Sequence, residues 1–154
     1  MSLADRMKAA GFKPEANTEG EWLPYNGTYR CIIKTIRAER DEKNSADFVQ
    51  TEYEIEETLT GDPKRDSKYP AFRKRYYLDF DNPTDDQLEN AKELANVVFT
   101  ATGIELDFDS KQSFVVSAEK VIGQEAYLRA WGFAFEKDQK GNVVPEDQRK
   151  QVQF

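Results

Sequence analysis

A mainly β fold of five strands, with one principal helix between the third and the fourth, is predicted by three observations. Aromatic and β-branched residues fall in alternating runs, the pattern of a pleated, half-buried surface. One segment, 84–103, carries the most complete set of helix signals: a cap, an apolar stripe and a stop. The chain has 154 residues with ten Phe and seven Tyr, enough for one domain around a single core.

The elements follow in order. Ser2 stands where an N-cap would, Leu3 and Met7 share helical spacing and Gly11 marks a stop, which predicts a short amphipathic helix. The stretch PEANTEGEWLPYNG has turn residues and no periodicity, so 1–22 reads as helix plus connector and 23–154 as the main domain. From residue 28, Tyr29, Cys31 and Ile33 alternate with Arg30, Ile32 and Lys34. Both faces are partly apolar, as in a long, strongly bent strand. After the polar loop RDEKNSAD, 48–59 place Val49, Thr51, Tyr53, Ile55 and Leu59 on one face and Phe48, Gln50, Glu52, Glu54 and Glu56 on the other. After TGDPKRDSKYP, a third strand over 69–80 turns Phe72, Lys74, Tyr76, Leu78 and Phe80 one way and Arg73, Arg75, Tyr77 and Asp79 the other.

Asn82-Pro83 ends that strand, and Thr84 with Gln87 forms a capping box, with Asp85, Asp86 and Glu89 at the positive end of the helix. Leu88, Ala91, Leu94, Ala95 and Val98 form its apolar face and Gly103 its stop. SAEKVIG adds one further turn of helix. A strand over 126–135 has small residues on one face and Tyr127, Arg129, Trp131, Phe133 and Phe135 on the other. Its rings are assigned to the core, with Trp131, flanked by Ala130 and Gly132, as the exception. KDQKGN is a hairpin turn leading back through Val143 and Val144, with a last strand at 149–154. Three strands, a helix and two strands is the order of a five-stranded, partly open Greek-key barrel of the OB type, its helix plugging the barrel.

Composition narrows the function. With no histidine and one cysteine, Cys31, the chain has no disulfide framework, no Cys/His zinc site and no imidazole for Ser-His-Asp or Cys-His catalysis. No apolar run approaches a membrane span and there is no signal-peptide core, so a soluble, cytoplasmic protein without membrane contact is expected. No cofactor is expected, and no enzymatic activity. Asp79-x-Asp81 and Asp107-x-Asp109-x-Lys111 match what a Mg²⁺-dependent nuclease needs, but turn formation explains such pairs as well.

Charge is sorted by position. The chain has net charge −7. Residues 64–77 hold six cations, Lys64, Arg65, Lys68, Arg73, Lys74 and Arg75, against Asp66, a local +5 that leaves −12 on the remainder. Single-stranded nucleic acid is held by cations tracking phosphates and rings stacking on bases. The residues predicted to do this are Phe48, Lys64, Arg65, Lys68, Tyr69, Arg73, Arg75, Tyr77 and Trp131. Lys137 and Lys140 could flank the same groove. A solvated salt ladder competes for the arginines, because an antiparallel hairpin would set Glu54 near Arg75 and Glu56 near Arg73. A protein-binding adaptor using an exposed sheet edge is the other class of function that fits.

LPYNGTYRCIIKTI, the FVQTEYEIEE strand, YYLDFDNP before a helix ending in TG, VIGQEAYLRAW and the DQKGN turn together resemble the phage-encoded OB-fold single-stranded-DNA-binding proteins, over 23–154. The resemblance implies sequence-independent coating of single-stranded DNA in replication or recombination, with phage replication or recombination proteins as partners. A homodimer is compatible with it. Many such proteins end in an acidic tail tipped by Phe. Here EDQRKQVQF ends in Phe154 but carries Arg149 and Lys150, a departure from that pattern.

Overall fold

The computed structural model describes residues 1–16, 27–61 and 71–130. Helix α1 (Leu3–Ala9) precedes strands β1 (Gly27–Asp41), β2 (Ala46–Gly61) and β3 (Ala71–Tyr77). Helices α2 (Asp85–Thr102) and α3 (Lys111–Glu119) follow, and β4 (Glu125–Ala130) returns to the sheet. The strands lie in the order β3-β2-β1-β4, every neighbouring pair antiparallel.

The long hairpin of β1 and β2 turns on Asp41. Its Oδ1 accepts the backbone N–H groups of Lys43 (3.1 Å) and Asn44 (3.3 Å), and its Oδ2 accepts from the Asn44 amide at 2.8 Å. The hairpin register slips three times, the last between Ile33 and Thr35. Lys34 is the extra residue there, and the inward phase passes from Ile33 to Ile36, both buried. A bulge of this kind bends the strand and accounts for the mixed faces of β1.

The concave side of the sheet is filled by helices. Leu88, Ala91, Leu94, Ala95 and Val98 of α2 and Phe114 and Ala118 of α3 share one core with Tyr29, Val49, Tyr53, Phe72 and Tyr76 of the strands. Phe114 lies 5.4 Å from Phe80 and 5.3 Å from Phe108, centroid to centroid. Helix α1 joins the same core through Leu3 and Met7. The Leu3 N–H donates to the Phe80 carbonyl (2.8 Å), and Arg6 donates to the Pro83 carbonyl (2.5 Å) while pairing with Asp85.

The OB-type barrel expected from the element order is therefore corrected. Among the described residues the sheet has four strands and stays an open half-barrel, with 254° of closure, and three separate helices replace the single principal one. The helices supply the apolar cover that strand closure would otherwise have to provide. Helix α3 begins earlier than the one turn read from SAEKVIG. Ser110 and Ser113 make a reciprocal capping box at its start, while the β-branched Val115 and Val116 mask its helical character in sequence. The expected strands at 143–144 and 149–154 lie outside the described residues. No helix among those described is long and apolar enough to cross a membrane.

Both halves of the α2 capping box are present: the Gln87 N–H donates to Thr84 Oγ1 (3.2 Å) and the Thr84 N–H to Gln87 Oε1 (2.9 Å). Gly103 closes the helix at φ 72, its N–H donating to the Phe99 carbonyl. Thr84→Ala is expected to lower unfolding free energy by about 1 kcal/mol, read as a shift in urea midpoint.

Candidate nucleic-acid interface

Strand β3 keeps the facing that its alternation predicts. Phe72 and Tyr76 are buried on the helix side, and Arg73 and Arg75 are exposed on the outer side. Its register against β2 differs from expectation by four residues. Gln50 lies opposite Arg75, and Glu52 opposite Arg73, so the expected pairs Glu54–Arg75 and Glu56–Arg73 do not form. Arg73 reaches Glu52 at 2.9 Å. The guanidinium of Arg75 has no carboxylate within ion-pair distance among the described residues.

Arg75 lies instead on an aromatic ring. Its guanidinium carbon stands 4.5 Å from the centroid of Phe48, a cation–π distance. Tyr77, opposite Phe48 in register, packs on the same ring with centroids 5.7 Å apart. Phe48 is thus on the outer face, as its phase requires, yet only 4% exposed. It is a floor under Arg75 and Tyr77 and offers no open surface to a base. Tyr77 is half-buried and donates to Asp41 Oδ2 at 3.5 Å. The side chain of Asn44 holds the Asp41 carboxyl below the usual carboxylate range, and the charge of Arg75 acts in the same direction.

Pairing across the three strands brings in a residue that the sequence reading missed. Arg37, Gln50 and Arg75 occupy one row on the outer face, so two exposed guanidiniums flank a neutral amide about 10 Å apart, two interstrand spacings. Among the described residues Arg37 forms one ion pair, with Glu39 at 3.8 Å. The bulge at Lys34 hid this row, because it shifts the phase of β1 upstream of Arg37.

Elsewhere the outer face is a salt ladder. Arg30 bridges Glu57 and Glu125 at 3.3 Å each, and Lys34 meets Glu54 at 3.2 Å. Strand β4 reverses the assignment of Tyr127 to the core. Ala126 and Leu128 are buried, whereas Tyr127 is 62% exposed. Tyr127→Ala is accordingly expected to change unfolding free energy by no more than about 0.5 kcal/mol, measured by urea denaturation. Lys64, Arg65, Lys68, Tyr69 and Trp131, with Phe133, Phe135, Lys137 and Lys140, lie outside the described residues.

The acid pairs act as turn acceptors. Asp79 Oδ1 accepts from the N–H groups of Asp81 (2.8 Å) and Asn82 (3.1 Å). Asp107 Oδ1 accepts from the Asp109 N–H (2.8 Å) and the Ser113 hydroxyl (3.2 Å). Among the described residues no three metal-ligating side chains gather into one group. The sequence matches no protein-family model and no curated protein.

Proposed function

We propose that this chain binds single-stranded DNA without sequence preference, on the outer face of β1, β2 and β3 around Arg37, Gln50 and Arg75. The observation that carries the reading is Arg75: an exposed guanidinium with no carboxylate within ion-pair distance among the described residues, Asp41 acting on it only at longer range, seated on Phe48 beside Tyr77. Arg37 extends the row toward β1. Arg73 stays paired with Glu52, whose side chain is largely buried, while its own exposed guanidinium offers its remaining N–H donors to a phosphate. The net charge of −7 opposes long-range attraction, so contact depends on this local row and on stacking.

The test is a fluorescence-anisotropy titration of labelled oligo-dT against the full chain over a range of salt. Saturable binding is expected, with affinity falling on a log–log slope of about −2 for three engaged cations. No binding at low salt removes the proposal. A protein-binding adaptor is favoured by one separate observation, the exposed Val115, Val116 and Ile122 on and after α3. That reading predicts a partner whose retention survives nuclease treatment and is lost in Val116→Glu.

A further inference from the structure

We infer that Arg75 serves as a stacking plane for a base, with Phe48 as its shelf, while Arg37 takes the neighbouring phosphate. This division of labour rests on the single-stranded-DNA reading above. A guanidinium is planar and only weakly hydrated on its faces, so it stacks on rings from either side. One face of Arg75 is already against Phe48 at 4.5 Å, and the residue is exposed. A base laid on the other face completes a ring–guanidinium–base sandwich, a mode by which unpaired bases are held. Phe48 itself cannot receive that base, because Arg75 and Tyr77 cover it. Among the described residues Arg37 has no ring beneath it and only a loose ion pair, with Glu39, which leaves it to act as a charge. Gln50, between the two in register, has an amide that can both donate and accept, so it suits either base edge and imposes no sequence.

The two roles separate experimentally. Oligo-dT and an abasic strand of equal length are titrated against the wild type, Arg75→Lys and Arg37→Gln, each variant checked for an unchanged melting curve. Lysine keeps the charge but has no plane. Arg75→Lys is expected to weaken oligo-dT binding at least about fivefold, the lower end of what one stacked base contributes, and to change abasic binding less than about twofold, below the effect of a single stacked base. Arg37→Gln is expected to weaken both strands alike and to reduce the salt slope by about 0.7. Equal losses on both strands in Arg75→Lys, or none on either, overturn the stacking assignment and leave the binding proposal standing. A wild type that binds neither strand overturns both.

Discussion

Phe114→Ala is expected to destabilise the fold by about 3–5 kcal/mol, the range for emptying a buried aromatic site. Phe114 is fully buried, and its ring meets Phe80 and Phe108 at tilted angles. These two rings come from the segments before α2 and after it, and the Phe80 carbonyl also receives the Leu3 N–H of α1. Phe114 therefore ties α3 to the segments on either side of α2, and each aromatic pair adds about 0.5–1.5 kcal/mol beyond area burial. With neighbours held on both sides, the site has little room to collapse. The urea midpoint reports the loss. Val116→Ala serves as the internal control: 55% exposed and two residues along the same helix, it should shift the midpoint by no more than about 0.5 kcal/mol. Comparable shifts in the two variants would mean that α3 does not pack as described.

The second large effect is alkaline. Burial pushes the Tyr53 phenol up to about 12, with the nearby Thr51 hydroxyl acting the other way. Burial also raises Tyr76, which lies beneath Lys74 at 5.0 Å. A folded-state pKa above the unfolded value means that the native protein holds its proton longer. The stability contributed is complete below about pH 10, the unfolded tyrosine value, and is lost as pH climbs toward the folded one. Tyr53 alone removes about 3 kcal/mol over that interval, at roughly 1.4 kcal/mol per pH unit, and Tyr76 steepens the decline. Tyr53→Phe should flatten the fall of urea midpoint between about pH 10 and 12 by a comparable amount. Parallel declines in variant and wild type would show that the phenol is open to solvent.

What could be read from the sequence was local. The α2 capping box needs only residues three apart, and the facing of β3 needs only period two, so Thr84, Gly103, Arg73 and Arg75 fall where their neighbours dictate. Three features depended on distant partners. The β2–β3 register differs from expectation by four residues, an even shift that leaves every side chain on its own face and is therefore invisible to alternation. The bulge at Lys34 changes phase without any turn residue to announce it, and it concealed Arg37. Strand β4 faces the way it does because helix α2 packs against it on the concave side, where Ala126 and Leu128 are accommodated and Tyr127 is turned outward. Closure of the sheet was likewise decided by how much apolar surface the helices cover, a quantity summed over the whole core.

Within the candidate site, sequence placed Phe48, Arg75 and Tyr77 on one face but could not order them by depth. That order is set by packing: a phenyl ring exposed beside a guanidinium lowers its free energy by going beneath it. The aromatic surface left open on this face is consequently smaller than the count of rings suggests.

Charge reversal at that arginine is the most direct measurement. Arg75→Glu, in a protein whose melting temperature is unchanged, is predicted to bind labelled oligo-dT at low salt at least about tenfold more weakly than the wild type, as the loss of a charge-assisted contact requires. Equal affinity of the two proteins would contradict the assignment of this face to nucleic acid.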